Sequence, residues 1–133
     1  MADIALVYGF DRPPAEVFDG FLRMYGADRP DWIVDSDLDL RVGGAWTVTF
    51  HPPGLTEFVE RRTITAFDRP HLLAYDVDVG ATAAFRTSVR FEFVPDGGGT
   101  RLEFRQAGFP DRATRDEFAQ AWPDVFAQLA TRL

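Results

Sequence analysis

Apolar and polar positions alternate along most of this chain, and the period of alternation moves between that of a strand and that of a helix. From Asp3 to Phe10, Ile4, Leu6 and Tyr8 alternate with smaller residues, a period of two that predicts a first strand. Pro13 and Pro14 suit the first turn of a helix, and Val17, Phe18, Phe21 and Leu22 then recur at helical spacing. Residues 13–24 are therefore predicted as a short amphipathic helix, ended by Gly26 and Pro30. The pattern over 26–37 is too short to assign, with a helical turn around Trp32-Ile33 as one reading.

From Asp39 the period returns to two. Asp39–Gly44 and Ala45–Phe50 read as strand, with Trp46, Val48 and Phe50 on one face. His51-Pro52-Pro53-Gly54 is a turn cluster, followed by a long strand over Thr56–Phe67 and a second turn at Asp68–His71. Leu72–Val79 and Phe85–Val94 follow, and Asp96–Gly99 joins the latter to Thr100–Ala107 as a hairpin. Residues 111–133 place Phe118, Trp122, Val125, Phe126, Leu129 and Leu133 on one stripe, which predicts a long packed helix. Asp111 is its expected N-cap, and Pro123 is expected to bend its axis. The Gly43-Gly44 pair is expected at a strand bend or bulge. Strand runs closed by a helix predict an α+β fold with an antiparallel sheet of six or seven strands, covered on one face.

At 133 residues the chain has the usual size of a single domain. No apolar run approaches the roughly 20 residues of a membrane helix, so no membrane insertion is expected. The opening Met1-Ala2-Asp3-Ile4 lacks the marks of a secretory signal, which makes the cytoplasm the expected location. Without cysteine there are no disulfides, thiolate metal sites or cysteine nucleophiles. A net charge of −7, with every basic side chain an arginine and none clustered, argues against nucleic acid as a partner.

Four segments in register resemble a known group. Phe10-Asp11-Arg12-Pro13-Pro14-Ala15-Glu16-Val17-Phe18 is similar to the opening of the START-like (SRPBCC) helix-grip superfamily. Asp39-Leu40-Arg41-Val42-Gly43-Gly44-Ala45-Trp46, Gly99-Thr100-Arg101-Leu102 with Gly108-Phe109, and Ala121-Trp122-Pro123 resemble its subfamily related to the C-terminal domain of the activator of the heat-shock-protein-90 ATPase. The resemblance implies a strongly curved antiparallel sheet gripping the C-terminal helix. It also implies an intervening cavity that holds lipids, polyketides, hormones or other apolar molecules in different members. The chain departs from the pattern in a short loop before Asp39, in Arg62 at an expected glycine, and in Gln106 at a frequent histidine. An amide at that last position can hydrogen-bond but cannot transfer protons.

Candidate chemistry is sparse. His51 and His71 sit in proline-flanked turns and read as solvated loop residues, and no His/Asp/Glu spacing suggests a metal. Asp76 and Asp78 share a strand face, which reads as the solvent face because Tyr75, Val77 and Val79 then point inward. Glu60 and Arg62 also share a face, either as a solvated rim or as a buried pair that orients a ligand carbonyl or hydroxyl. No cofactor and no catalytic residue are assigned. The expected ligand-binding set is Trp46, Phe50, Tyr75, Phe91, Phe104, Phe118 and Trp122 as apolar lining, with Arg62 and Gln106 as polar contacts. The expected partner is a small apolar molecule; a homodimer stays open. The alternatives are a cavity enzyme such as a cyclase, hydrolase or natural-product resistance protein, with Glu60 as its acid or base, and a chaperone ATPase cofactor.

Overall fold

The structure, a computed structural model, describes residues 3–79 and 85–133. Its elements are β1 (Ile4–Phe10), α1 (Pro14–Met24), β2 (Ile33–Leu38), β3 (Ala45–Phe50), β4 (Phe58–Asp68), β5 (Leu72–Val79), β6 (Phe85–Asp96), β7 (Gly99–Ala107) and α2 (Arg112–Ala130). The strands form one curved sheet in the order β1-β7-β6-β5-β4-β3-β2, with every neighbouring pair antiparallel. This is the α+β arrangement that the alternating pattern predicts.

Two segments differ from the sequence reading. Residues 33–38 form an edge strand rather than a helical turn: Ile33 is buried, but Asp35 and Asp37 face solvent and a register shift interrupts the pairing. A strand half-covered at the sheet edge, bearing charge, carries little period-two signal. Asp39–Gly44 is the loop between β2 and β3 rather than a strand. Gly43 takes a left-handed φ of 82°, and the Gly43 N–H and Gly44 carbonyl exchange hydrogen bonds with Ile64 on β4. A Cβ on Gly44 would run into the Asp39 carbonyl oxygen, so the glycine pair serves a turn that folds tightly on itself.

The concave face of the sheet carries the core. Phe18 of α1 packs its ring on Phe67 and Phe93, and Phe21 packs on Phe91 and Trp46. From α2, Trp122, Phe126 and Leu129 are buried, with both aromatic rings against Phe104 of β7. Asp111 caps α2 by accepting the Thr114 backbone N–H at 2.7 Å, and the helix runs unbroken through Pro123. The backbone of α2 runs closest to β1 and α1, and its side chains reach on to β7 and β6. The inner faces of β3 to β5 lie on the other side, farther from the α2 backbone. No helix is long and apolar enough to cross a membrane, among the described residues.

Candidate functional site

Between α2 and the concave face of the sheet lies a cavity of about 540 Å³. Strand alternation builds one wall in two cross-strand rows. Tyr75, Val89 and Gln106 lie opposite one another on β5, β6 and β7, and Trp46, Arg62 and Val77 do so on β3, β4 and β5. All but Trp46 contribute to the cavity surface. The other wall is one face of α2, where Phe118, Ala121, Trp122, Val125 and Gln128 recur at helical spacing. Trp32, Pro52, Pro53, Phe58 and Asp124 complete the lining where side chains are more exposed.

Arg62 stands at the closed end. Its side chain is 2% exposed, and its Nε and Nη2 donate to Glu60 Oε1 at 3.1 and 2.9 Å. The guanidinium carbon lies 4.4 Å from the Trp46 ring centre, 4.8 Å from Tyr75, 5.1 Å from Tyr25 and 5.8 Å from Phe50. Four aromatic faces turn their negative quadrupoles toward one cation, which offsets part of its lost hydration. Arg62 is therefore buried within the aromatic core with Glu60 half-buried beside it, rather than both lying on a solvated rim. Burial alone would favour a neutral guanidine, but the opposing charges around it, with the hydrogen-bonded Glu60 carboxylate among them, outweigh burial and hold the Arg62 pKa above its ordinary value. Burial pushes the phenols of Tyr75 and Tyr25 up, against the pull of Arg62. The site thus sets a cation beside two phenols whose ionisation burial disfavours. Arg62 Nη1 and Tyr75 Oη are both buried and have no hydrogen-bond partner among the described residues.

Gln106 is engaged at both ends. Its Nε2 donates to Thr87 Oγ1 at 3.0 Å, and its Oε1 accepts the Trp122 indole N–H at 2.8 Å. Sequence reading makes Gln106 a polar contact for a ligand, whereas the structure uses its amide to tie α2 to β6 and β7. Of the other expected residues, Phe50, Arg62, Tyr75, Phe118 and Trp122 line the cavity. Trp46, Phe91 and Phe104 do not. They are essentially fully buried under α1, Arg62 and Trp122, and they support the wall from behind. Tyr25, Trp32, Val77 and Val89 are lining residues that the sequence reading omits; of these, the two valines carried a signal in their inward strand positions.

Groups considered for acid-base chemistry are mostly elsewhere. His51 and His71 are exposed and outside the cavity wall. Asp76 and Asp78 lie on the outer face, held by Ser88 and Arg86, while Tyr75 and Val77 point inward. The side chain of Val79 lies outside the described residues. Glu60 does line the cavity, but its Oε1 is committed to Arg62. Among the described residues no group of three His, Asp or Glu side chains could hold a metal ion.

The architecture is shared with solved structures of low sequence identity. Protein CV1439 from Chromobacterium violaceum superposes with a TM-score of 0.82 at 20% identity, over 98% of this chain and 95% of that one. Ara h 8.0201 gives 0.75 at 16% identity, over 97% and 95%. CalU16 from Micromonospora echinospora gives 0.70 at 20% identity, over 96% and 75%. No curated protein matches the sequence. Residues 11–133 match the family described as Activator of Hsp90 ATPase homolog 1-like protein, and the chain therefore belongs to that family, within the START-like helix-grip superfamily.

Proposed function

We propose that this protein binds a small apolar molecule in the cavity between the sheet and α2. The observation that carries this reading is the cavity itself: about 540 Å³, walled mostly by aromatic and aliphatic side chains on rigid strands and one helix. Such concave, largely preformed and mostly apolar sites are where proteins hold small molecules. Affinity comes from removing apolar ligand surface from water, at roughly 25 cal/mol per Å² before the costs of association. The test is a titration with Nile red, a neutral apolar dye, joined to mass spectrometry of lipophilic extracts from the purified protein. Saturable emission at one site per chain supports the reading. A weak linear response, with nothing extracted, contradicts it.

A catalytic reading has one observation in its favour, the presence of Glu60 in the cavity wall. Binding without chemistry accounts better for the site, because the Glu60 oxygen that faces Arg62 accepts two of its hydrogen bonds, and Gln106, at a position where the family resemblance implies a frequent histidine, is an amide that cannot transfer protons. The chaperone-cofactor reading draws on the family description alone.

A further inference from the structure

We propose that the ligand of this cavity is an amphiphile: its apolar body fills the cavity, and a single anionic head, carboxylate or phosphate, rests in the groove outside against Arg29, Arg132 and His51. The inference rests on the cavity-binding reading and deepens it.

A second hollow, a groove of about 560 Å³, adjoins the cavity. Trp32, Pro53 and Gln128 line both, so the two meet at these residues. The rest of the groove is walled by Arg29, Pro30, Asp31, His51 and Arg132. The His51 backbone N–H donates to the Trp32 carbonyl at 2.8 Å, which holds the turn after β3 against the segment before β2. Arg29 and Arg132 stand near opposite ends of the chain, and only folding brings them to one groove.

Arg132 is the fixed member. Its Nε donates to the Asp28 carbonyl at 2.9 Å, and its Nη1 donates to the Gln128 carbonyl at 3.0 Å and to Gln128 Oε1 at 2.8 Å. The guanidinium is thereby held against a residue that borders the cavity. Its acceptors are uncharged oxygens, which position the cation without neutralising it. Its Nη2 has no acceptor among the described residues and, unlike Arg62 Nη1, is not buried. Neither Arg29 nor Arg132 forms an ion pair among the described residues, and the Asp28 carboxylate is turned to Arg23 at 3.5 Å.

Charge decides where the head goes. In the described cavity lining one guanidinium, Arg62, faces two carboxylates, Glu60 and Asp124, and is already paired with the first. In the groove lining two guanidiniums face one carboxylate, Asp31. An anionic head is therefore repelled by the cavity and attracted by the groove, in a chain whose net charge is −7 elsewhere unfavourable to anions. The head also keeps part of its hydration in the open groove while the apolar body leaves water. The arginine fork donates to carboxylate and phosphate oxygens alike.

The experiment measures Kd by calorimetry for 1-decanol, decanoate and inorganic phosphate. In the unaltered protein at low salt, decanoate should bind roughly tenfold more tightly than 1-decanol, the scale of one charge-assisted hydrogen bond reduced by solvent screening. Sodium chloride at about 0.5 M should shrink that ratio. Inorganic phosphate, which has a head but no apolar body, should give no saturable heat. Arg29→Met and Arg132→Met should each lower the decanoate-to-decanol ratio toward one. Arg29 is exposed and unpaired among the described residues, so its variant keeps the test decisive if Arg132→Met does not fold. A ratio of one in the unaltered protein, a ratio unchanged in every folded variant, or phosphate binding as tightly as decanoate would overturn the inference while leaving cavity binding intact. Failure of both 1-decanol and decanoate to bind would overturn the cavity reading and this inference with it.

Discussion

Replacing Trp122 separates two roles that this residue combines. Its indole packs on Phe104, Phe91 and Phe126, with ring centres at 4.4, 5.7 and 5.7 Å, and its N–H donates to Gln106 Oε1 at 2.8 Å. Trp122→Phe keeps most of the ring contact but leaves the Gln106 oxygen, on a residue only 2% exposed, without its donor. An orphaned buried acceptor costs about 1–3 kcal/mol, so the phenylalanine variant should lose that much. Trp122→Ala also removes the ring, and aromatic deletions from cores cost about 3–5 kcal/mol. Because one side of Trp122 borders the cavity rather than packed atoms, the alanine variant should fall near the lower end of that range. For a domain of roughly 5–15 kcal/mol total stability, both losses are measurable. Denaturant unfolding at equal m-values gives the two differences directly. If Trp122→Phe cost less than about 0.5 kcal/mol, the Gln106 oxygen would have another donor available. The hydrogen-bond chain from α2 to β6 would then not be what ties the helix to the sheet.

Other perturbations test separate parts of the account. Glu60→Leu leaves Arg62 buried without its counter-charge and should cost about 3–5 kcal/mol, while Glu60→Leu/Arg62→Leu should cost much less in the same urea unfolding assay; a single variant within 1 kcal/mol of the parent would refute the burial of a charged Arg62. Gly44→Val drives a side chain into the Asp39 carbonyl and should lower stability by at least about 2 kcal/mol, with parental stability ruling out the tight turn. The Asp111 carboxyl is held below its ordinary value of 3.8 by accepting the Thr114 backbone N–H. Its stabilising effect is therefore complete above that value and lost as pH falls through the lower folded-state value. Asp111→Asn keeps a capping oxygen but cannot titrate, so its Tm should fall less than the parent's between pH 5 and pH 2; equal falls would contradict the assignment.

Much of the fold is legible in the chain because strands such as β6 and β7 alternate cleanly, with Val89, Phe91 and Phe93 inward and Arg90 and Glu92 toward the outer face. Strand β2 escapes that logic: Ile33 is buried while Val34, Asp35 and Asp37 are exposed, and among the described residues no strand pairs with its outer edge. Alternation also finds which residues face inward at the site, but not which of them border empty space. Trp46, Phe91 and Phe104 occupy inward positions as much as Tyr75 does, and only the placement of α1 and α2 across the sheet decides which are covered. The role of Gln106 is hidden for the same reason, since its partners Thr87 and Trp122 come from another strand and another element. Spacing puts Glu60 and Arg62 on one face, but the four rings that make the burial of Arg62 tolerable come from β3, β5 and the residue after α1.

The chain's three tryptophans make the central claim directly measurable. Trp122 and Trp32 line the cavity, whereas Trp46 lies behind Arg62 with its indole N–H donated to Ser36. Each indole N–H gives a separate peak in a proton–nitrogen correlation spectrum, recorded as 2-ethylnaphthalene is added. Binding in the cavity predicts that the Trp122 and Trp32 peaks shift saturably with a common Kd while the Trp46 peak shifts least. Shifts largest at Trp46, or no saturable shift at Trp122, would contradict the claim that this cavity is where the protein holds its ligand.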